Sequence, residues 1–219
     1  MVRTQTAELP AREKILDAAE ALFARRGFAG VGISEIAEAV GLGKSTLFHH
    51  YATKAQLYAA VVERILAEIE TALTRALAVG GTPVERLDRW VDTVCDLLGA
   101  RPTHARLLLR SLFEDDELSH DSENVRAADE RLARIVASMS HLLREGMAGG
   151  TVRMANLPHT IQSLIGMVIY HFASGDFGVE LLGRSPFAAA EVRRRKDELK
   201  AFLHYGLVVP PAPPKGERA

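Results

Sequence analysis

A chain of 219 residues, 47% hydrophobic and 25% charged, can bury a substantial core, and its net charge of −1 does not by itself announce a polyanionic partner. No apolar run approaches the roughly 18 residues that span a bilayer, and the opening stretch MVRTQTAELPAREK lacks the apolar centre of a signal peptide, so a cytoplasmic protein with no membrane partner is expected. The single cysteine, Cys95, excludes an internal disulfide framework and a metal site built of thiolates alone, and reads as a small buried apolar residue.

Ile15, Leu16, Ala19, Leu22 and Phe23 fall on one face of a first helix that follows Pro10 and stops at Gly27. Ile33, Ile36, Ala37 and Val40 give a second helix ending at Gly41, and Leu47 with Tyr51 mark a short third one after Gly43. Thr53-Lys54-Ala55-Gln56 fits a capping box, followed by the stripe Leu57, Val61, Ile65, Ile69 and Leu73 of a long fourth helix that ends near Gly80-Gly81. Thr82-Pro83-Val84-Glu85 is another capping box and opens a fifth helix through Trp90 and Val94 to Gly99. A shorter helix is expected over His104–Phe113. The polar stretch Glu114–Asn124 separates it from a long one that carries Val125, Leu132, Ile135, Met139 and Leu142 and ends at Gly149-Gly150. Asn156 can cap a helix bearing Ile161, Leu164, Ile165, Val168, Ile169 and Phe172, and Ser185-Pro186 opens the last, which stops near Gly206. No segment shows sustained strand alternation. The expected fold is therefore all-α with about nine helices: a helix-turn-helix domain over 1–54, a helical bundle over 55–208 and a disordered tail over 209–219.

Gly41-Leu42-Gly43 is too short for anything but a sharp corner between the second and third helices, which is helix-turn-helix geometry. At 100° per residue Leu47 and Tyr51 lie within about 40° of each other, while Ser45 and His49 lie about 160° from Leu47, so one face packs and the other is free to read DNA. Lys44 and Lys54 bracket that helix with positive charge. A cation is disfavoured at a helix N-terminus, so Lys54 points to a phosphate partner. The first 54 residues carry seven Lys and Arg against six Asp and Glu, so the case rests on arrangement and not on bulk charge.

The run Ile36-Ala37-Glu38-Ala39-Val40-Gly41-Leu42-Gly43-Lys44-Ser45-Thr46-Leu47-Phe48-His49-His50-Tyr51-Ala52-Thr53-Lys54-Ala55-Gln56-Leu57, with Gly27-Phe28 before it, resembles the signature of the tetracycline-repressor (TetR) family of transcriptional regulators over roughly residues 10–60. The resemblance implies that Lys44, Thr46, Phe48, His49, His50 and Lys54 face DNA or its backbone; Ser45 joins them from its place opposite the packing face. It departs from the family's habit at Gly32 and Gly43, where a hydroxyl residue is common, and at Phe48, where tyrosine is commoner. It further implies a homodimer on a palindromic double-stranded operator, released when a small molecule in the C-terminal bundle shifts the fourth helix. The dimer is expected to form through the last two helices, about Leu157–Ser174 and Phe187–Tyr205.

An apolar or amphipathic effector could be lined by Trp90, Val94, Leu97, Leu109, Phe113, Met139, Leu143 and Ile165; the same residues could be ordinary core. Met154 belongs to the same set. His104, Arg106, Arg110 and His141 could serve polar recognition or salt bridges. Gly43-Lys44-Ser45-Thr46 imitates the end of a P-loop, but Glu38 stands where its first glycine is needed. The acidic run Glu114-Asp115-Asp116-Glu117 with His120 and Asp121 reads as a solvated loop, and Arg193-Arg194-Arg195-Lys196 as intrahelical pairs with Glu191, Asp197 and Glu198. No hydrolase or metalloprotease motif occurs, so no catalysis, cofactor or metal is expected. Two other readings stay open: an all-helical enzyme or ligand carrier whose N-terminal helices only pack, and a helix-turn-helix module that mediates protein contacts.

Overall fold

The structure, a computed structural model, describes residues 10–112 and 123–210. Within them the chain forms ten helices: α1 (Ala11–Arg26), α2 (Ile33–Ala39), α3 (Lys44–His50), α4 (Lys54–Leu77), α5 (Pro83–Ala100), α6 (Pro102–Ser111), α7 (Glu123–Ala148), α8 (Leu157–Ala173), α9 (Gly175–Leu182) and α10 (Ala189–Gly206). The only strand-like pairing among the described residues is a single antiparallel bridge between Val152 and Val208. The fold is all-α as expected, with one helix more than the apolar periodicity predicts. That helix, α9, is eight residues long, contains two glycines and leaves Phe177, Val179 and Leu181 exposed, so no buried stripe marks it.

Of the two predicted capping boxes, that at α5 forms in full and that at α4 in half. At α5 the exchange is reciprocal, Glu85 N–H donating to Thr82 Oγ1 at 3.2 Å and Thr82 N–H to Glu85 Oε2 at 2.8 Å. At α4 the Gln56 N–H donates to Thr53 Oγ1 at 3.1 Å, but the return bond reaches the Ala52 N–H. The sixth helix starts earlier than expected, with Pro102 in its first turn. The last starts later, at Ala189, because residues 185–188 form a turn closed by the Ala188 N–H on the Ser185 carbonyl. Phe113, the acidic run 114–121 and residues 211–219 of the tail lie outside the described residues.

The chain divides into two compact units, the described residues of Met1–Glu68 with Arg101–Leu132, and of Ile69–Ala100 with Ala133–Ala219; α4 and α7 contribute to both. In the first unit, Ile15, Leu16, Ala19 and Phe23 of α1 are buried, as their spacing predicts, with Leu57, Val61 and Ile65 of α4. Phe23, Phe28 and Tyr58 form a ring cluster, Tyr58 meeting the other two edge-on at 5.1 and 5.4 Å between centroids. A charged clamp joins three of its helices. Arg64 of α4 donates to Asp17 at 2.7 Å and to Glu20 at 2.6 Å on α1, and Thr103 of α6 donates to the other Glu20 oxygen at 2.5 Å.

In the second unit Leu87, Val91 and Leu98 of α5, Leu142 and Leu143 of α7, Leu164, Val168 and Phe172 of α8, and Leu199 and Leu203 of α10 are buried. Helices α5 and α10 approach closely at Gly99, where a Cβ would lie 2.7 Å from Val192 Cγ2. Along their seam Asp88, Asp92 and Asp96 meet His204, Lys200 and Lys196 at 2.8, 3.0 and 2.9 Å, an antiparallel ladder at four-residue spacing. The basic run 193–196 is thus mainly tertiary and not intrahelical. Only Arg194 pairs within the helix, with Glu191 at 3.0 Å, while Lys196 joins the ladder and Arg195 donates to the Met167 carbonyl at 2.6 Å. No helix among the described residues is long and apolar enough to cross a membrane.

Candidate nucleic-acid interface

The corner between α2 and α3 is built by hydrogen bonds that the sequence dictates. The Leu42 N–H reaches back to the Ala37 carbonyl at 2.9 Å and the Gly41 N–H to the Glu38 carbonyl at 3.0 Å, the double closure of a Schellman turn. It requires a left-handed residue, and Gly41 supplies it with φ +68°. The chain then enters α3 through Gly43 in extended conformation, with no side chain capping the first turn. The N-terminal amides of α3 therefore stay open to an acceptor from outside.

Leu47, fully buried at 0% exposure, and Tyr51 at 3% pin α3 to the core of the first unit. The other six residues of the helix, Lys44, Ser45, Thr46, Phe48, His49 and His50, are all exposed. The Lys44 ammonium lies 5.7 Å from the centre of the Phe48 ring, and the His49 and His50 rings meet edge-on at 5.9 Å. One short helix thus presents a cation, two hydroxyls, two imidazoles and a phenyl ring on a surface fixed by two buried anchors.

Lys54 stands apart from these six. Its ammonium donates to the carbonyls of Phe28 at 2.9 Å and Val31 at 3.2 Å and sits 4.1 Å from the Phe28 ring centre. A lysine in the first turn of a helix needs a compensating partner. Here the loop between α1 and α2 provides it.

The predicted effector residues are placed unevenly. Trp90, Val94, Met139 and Leu143 are buried in the second unit, with Leu97 and Ile165 half-buried there; Leu109 is half-buried in the first unit. The Trp90 indole N–H is buried without an acceptor. Met154 is exposed, on the turn after α7. Of the polar candidates His141 is exposed and Arg106 and Arg110 are half-buried, whereas His104 is buried against Glu20, with Nε2 3.4 Å from its carboxylate. The clamp around Glu20 escapes sequence reading because its members are separated by 44 and 83 positions. Among the described residues no group of three or more His, Cys, Asp or Glu is arranged to hold a metal ion.

Residues 15–61, which span α1 to the first turns of α4, match the sequence model described as bacterial regulatory proteins, tetR family. The HTH-type transcriptional repressor SCO4008 of Streptomyces coelicolor is 31% identical over 143 residues, 64% of this chain and 67% of that protein. Two further curated relatives are matched over 46% and 63% of their own length. Among solved structures, the ketosteroid transcriptional regulator KstR2 of Mycobacterium tuberculosis superposes with a TM-score of 0.73 at 15% identity, covering 93% of this chain and 97% of that one. AibR, solved in complex with isovaleryl coenzyme A and operator DNA, gives 0.71 at 21% identity over 87% and 96%. The glycine-turned corner, the anchored and otherwise exposed third helix and these likenesses converge: the chain belongs to the tetR family of bacterial regulatory proteins, and is a transcriptional regulator and not an enzyme.

Proposed function

We propose that the protein acts in the cytoplasm as a ligand-responsive repressor, binding a palindromic operator as a homodimer and leaving it when a small apolar or amphipathic effector binds the second unit. The observation that carries the reading is α3, where Leu47 and Tyr51 are the buried anchors and every remaining side chain is exposed. Lys44 serves phosphate, Ser45 and His49 face base edges, and Thr46, Phe48 and His50 flank them. Lys54 supports this surface from behind by holding the loop that precedes α2.

A second copy is supported by the apolar side chains that α8 and α10 leave in water, Tyr170, Phe202 and, at 85% exposure, Tyr205. A two-fold pairing of these helices buries each patch against its own copy, and a two-fold dimer carries two copies of α3, as a palindromic site requires. The effector reading is supported by Trp90, whose indole N–H is buried without an acceptor in the second unit, where Val94, Met139 and Leu143 are also buried. An acceptor on an otherwise apolar ligand would satisfy it.

Selection from random-sequence duplex DNA with the full chain, followed by sedimentation of the complex, tests the reading. A two-fold symmetric site occupied by an even number of chains is expected. Recovery of no preferred sequence, or of an asymmetric site held by one chain, overturns it. Titration of fatty acids, acyl thioesters and sterols into that complex, read by the fluorescence of the single tryptophan and by release of DNA, tests the effector half.

A further inference from the structure

On α10, Arg194 meets the Glu191 carboxylate at 3.0 Å and Lys196 meets Asp96 at 2.9 Å. Arg195 between them is half-buried and has no carboxylate partner among the described residues. One of its Nη atoms donates to the Met167 carbonyl of α8 at 2.6 Å, and its Nε–H is buried without an acceptor. Glu191, one turn back on the same face of α10, is already held by Arg194 and Arg184. A covered cation without its counter-charge is costly, and burial accordingly lowers the pKa of the Arg195 guanidinium.

A second unpartnered nitrogen stands at the same turn. His171 lies four residues after Met167 on α8, on the face that receives the guanidinium, and its Nε2 is also buried without a partner. The imidazole packs edge-on against Phe172 at 4.8 Å. Both side chains keep part of their surface in water, so the pair can be reached from outside. The position is not the interior assigned to the effector. At 100° per residue Trp90 lies about 180° around α5 from Gly99, where α5 meets Val192 of α10, so the indole faces away from α10. Cys95, about 40° from the Gly99 direction, is the α5 residue whose thiol lies near the Arg195 charge.

We propose that Arg195 and His171 form a separate ligand site that takes an oxyanion, the carboxylate of a small organic acid or a phosphate. One oxygen accepts from the Arg195 Nε–H and another from a His171 Nε2–H, so the anion supplies the missing counter-charge and both missing acceptors. The bound group bridges α8 and α10 at the turn where the Met167 carbonyl already holds the guanidinium. The site depends neither on DNA binding nor on the effector reading.

The test titrates the full chain with inorganic phosphate and, separately, with acetate, against chloride at constant ionic strength, read by calorimetry and thermal melting. Saturable binding of either anion beyond chloride is expected, and which one binds distinguishes a phosphate from a carboxylate site. Arg195→Gln should weaken it about ten-fold, while Gln in place of the exposed Arg193 leaves it unchanged. A merely structural role would not move the His171 imidazole, which faces Arg195 and Glu191 and is held down to about 4 without the anion. Nuclear magnetic resonance should show it taking up its proton at higher pH when the anion is bound. The proposal is overturned if neither anion binds beyond chloride, if Arg195→Gln binds as tightly as wild type, or if the His171 titration ignores the anion. A dimer lost in Arg195→Gln, with no anion bound by the wild type, also overturns it and assigns the counter-charge to a second copy. Should Arg195→Gln fail to fold by circular dichroism, the wild-type imidazole titration and the binding of His171→Gln, expected to be several-fold weaker, decide.

Discussion

In the first unit, charge is taken inside together with its counter-charge. Arg64, mostly covered, meets Asp17 and Glu20 at 2.7 and 2.6 Å, and hydrogen bonds from His104, Thr103 and Arg64 outweigh burial and hold the Glu20 carboxyl down to about 2. In the second unit the buried Glu191 carboxylate is paired within its own segment, with Arg194 at 3.0 Å and Arg184 at 3.3 Å, while two other covered groups are kept neutral. Burial pushes the Cys95 thiol up to about 11, and burial reinforced by the Arg195 guanidinium pushes the His171 imidazole down to about 4. The unit's other charge pairs lie along the α5–α10 seam, between Arg86 and Glu145, and between Arg134 and Glu70. The contrast teaches that the buried carboxylate of the first unit ties three helices together, whereas that of the second is neutralised beside its own helix and leaves the joining of α5 and α10 to apolar packing and to pairs along the seam.

Breaking the clamp should have the largest effect. Arg64→Ala leaves the covered Glu20 carboxylate without its cation and should cost about 3 kcal/mol in urea unfolding, whereas Lys200→Ala, which removes one half-buried rung of the ladder, should cost about 0.5 kcal/mol. Equal costs would erase the distinction between the units.

Acid should sharpen it. A histidine whose folded pKa is depressed contributes fully above its ordinary value of 6.5 and loses that contribution as pH falls towards about 4. A carboxylate depressed from 4.5 contributes above that value and loses its share only as pH falls towards about 2. Hydrogen exchange at pH 5 should therefore show α8 and α10 loosened while α1 stays protected, and His171→Gln should flatten the response. Loss of protection in α1 before α8 would contradict the assignment.

A smaller effect is expected at Lys54. Its ammonium is occupied by two carbonyls, so Lys54→Ala should weaken operator binding by roughly 1 kcal/mol through the misplaced loop, with the salt dependence unchanged. A slope lowered by about one unit would instead make Lys54 a phosphate contact. Smallest of all, Gly43→Ser should add a few tenths of a kcal/mol, because Gly43 has extended backbone, room for a Cβ and no side-chain cap to offer α3. Thermal melting and operator titration of this variant would register the gain; a loss of stability would mean that the hydroxyl cannot reach the α3 amides.

The sequence by itself determined the elements whose cause is local. The 3.6-residue apolar period marked the long helices, hydroxyl and amide caps marked where α4, α5 and α8 begin, and Gly41 between two short periodic runs marked the corner that turns α3 outward. Those signals act within a few residues, so they survive in one dimension. The faces of α3 were legible for the same reason, since a helix of known period with Leu47 and Tyr51 as its apolar pair leaves only one side for Ser45 and His49. What the tertiary structure alone decided are contacts between residues far apart in the chain: the Lys54 ammonium on the Phe28 and Val31 carbonyls, Glu20 held between Arg64 and Thr103, and Lys196 turned to Asp96 instead of to its own helix. A charged side chain long enough to choose among several partners takes the one that the packing of neighbouring helices brings within reach, and no local pattern records that choice.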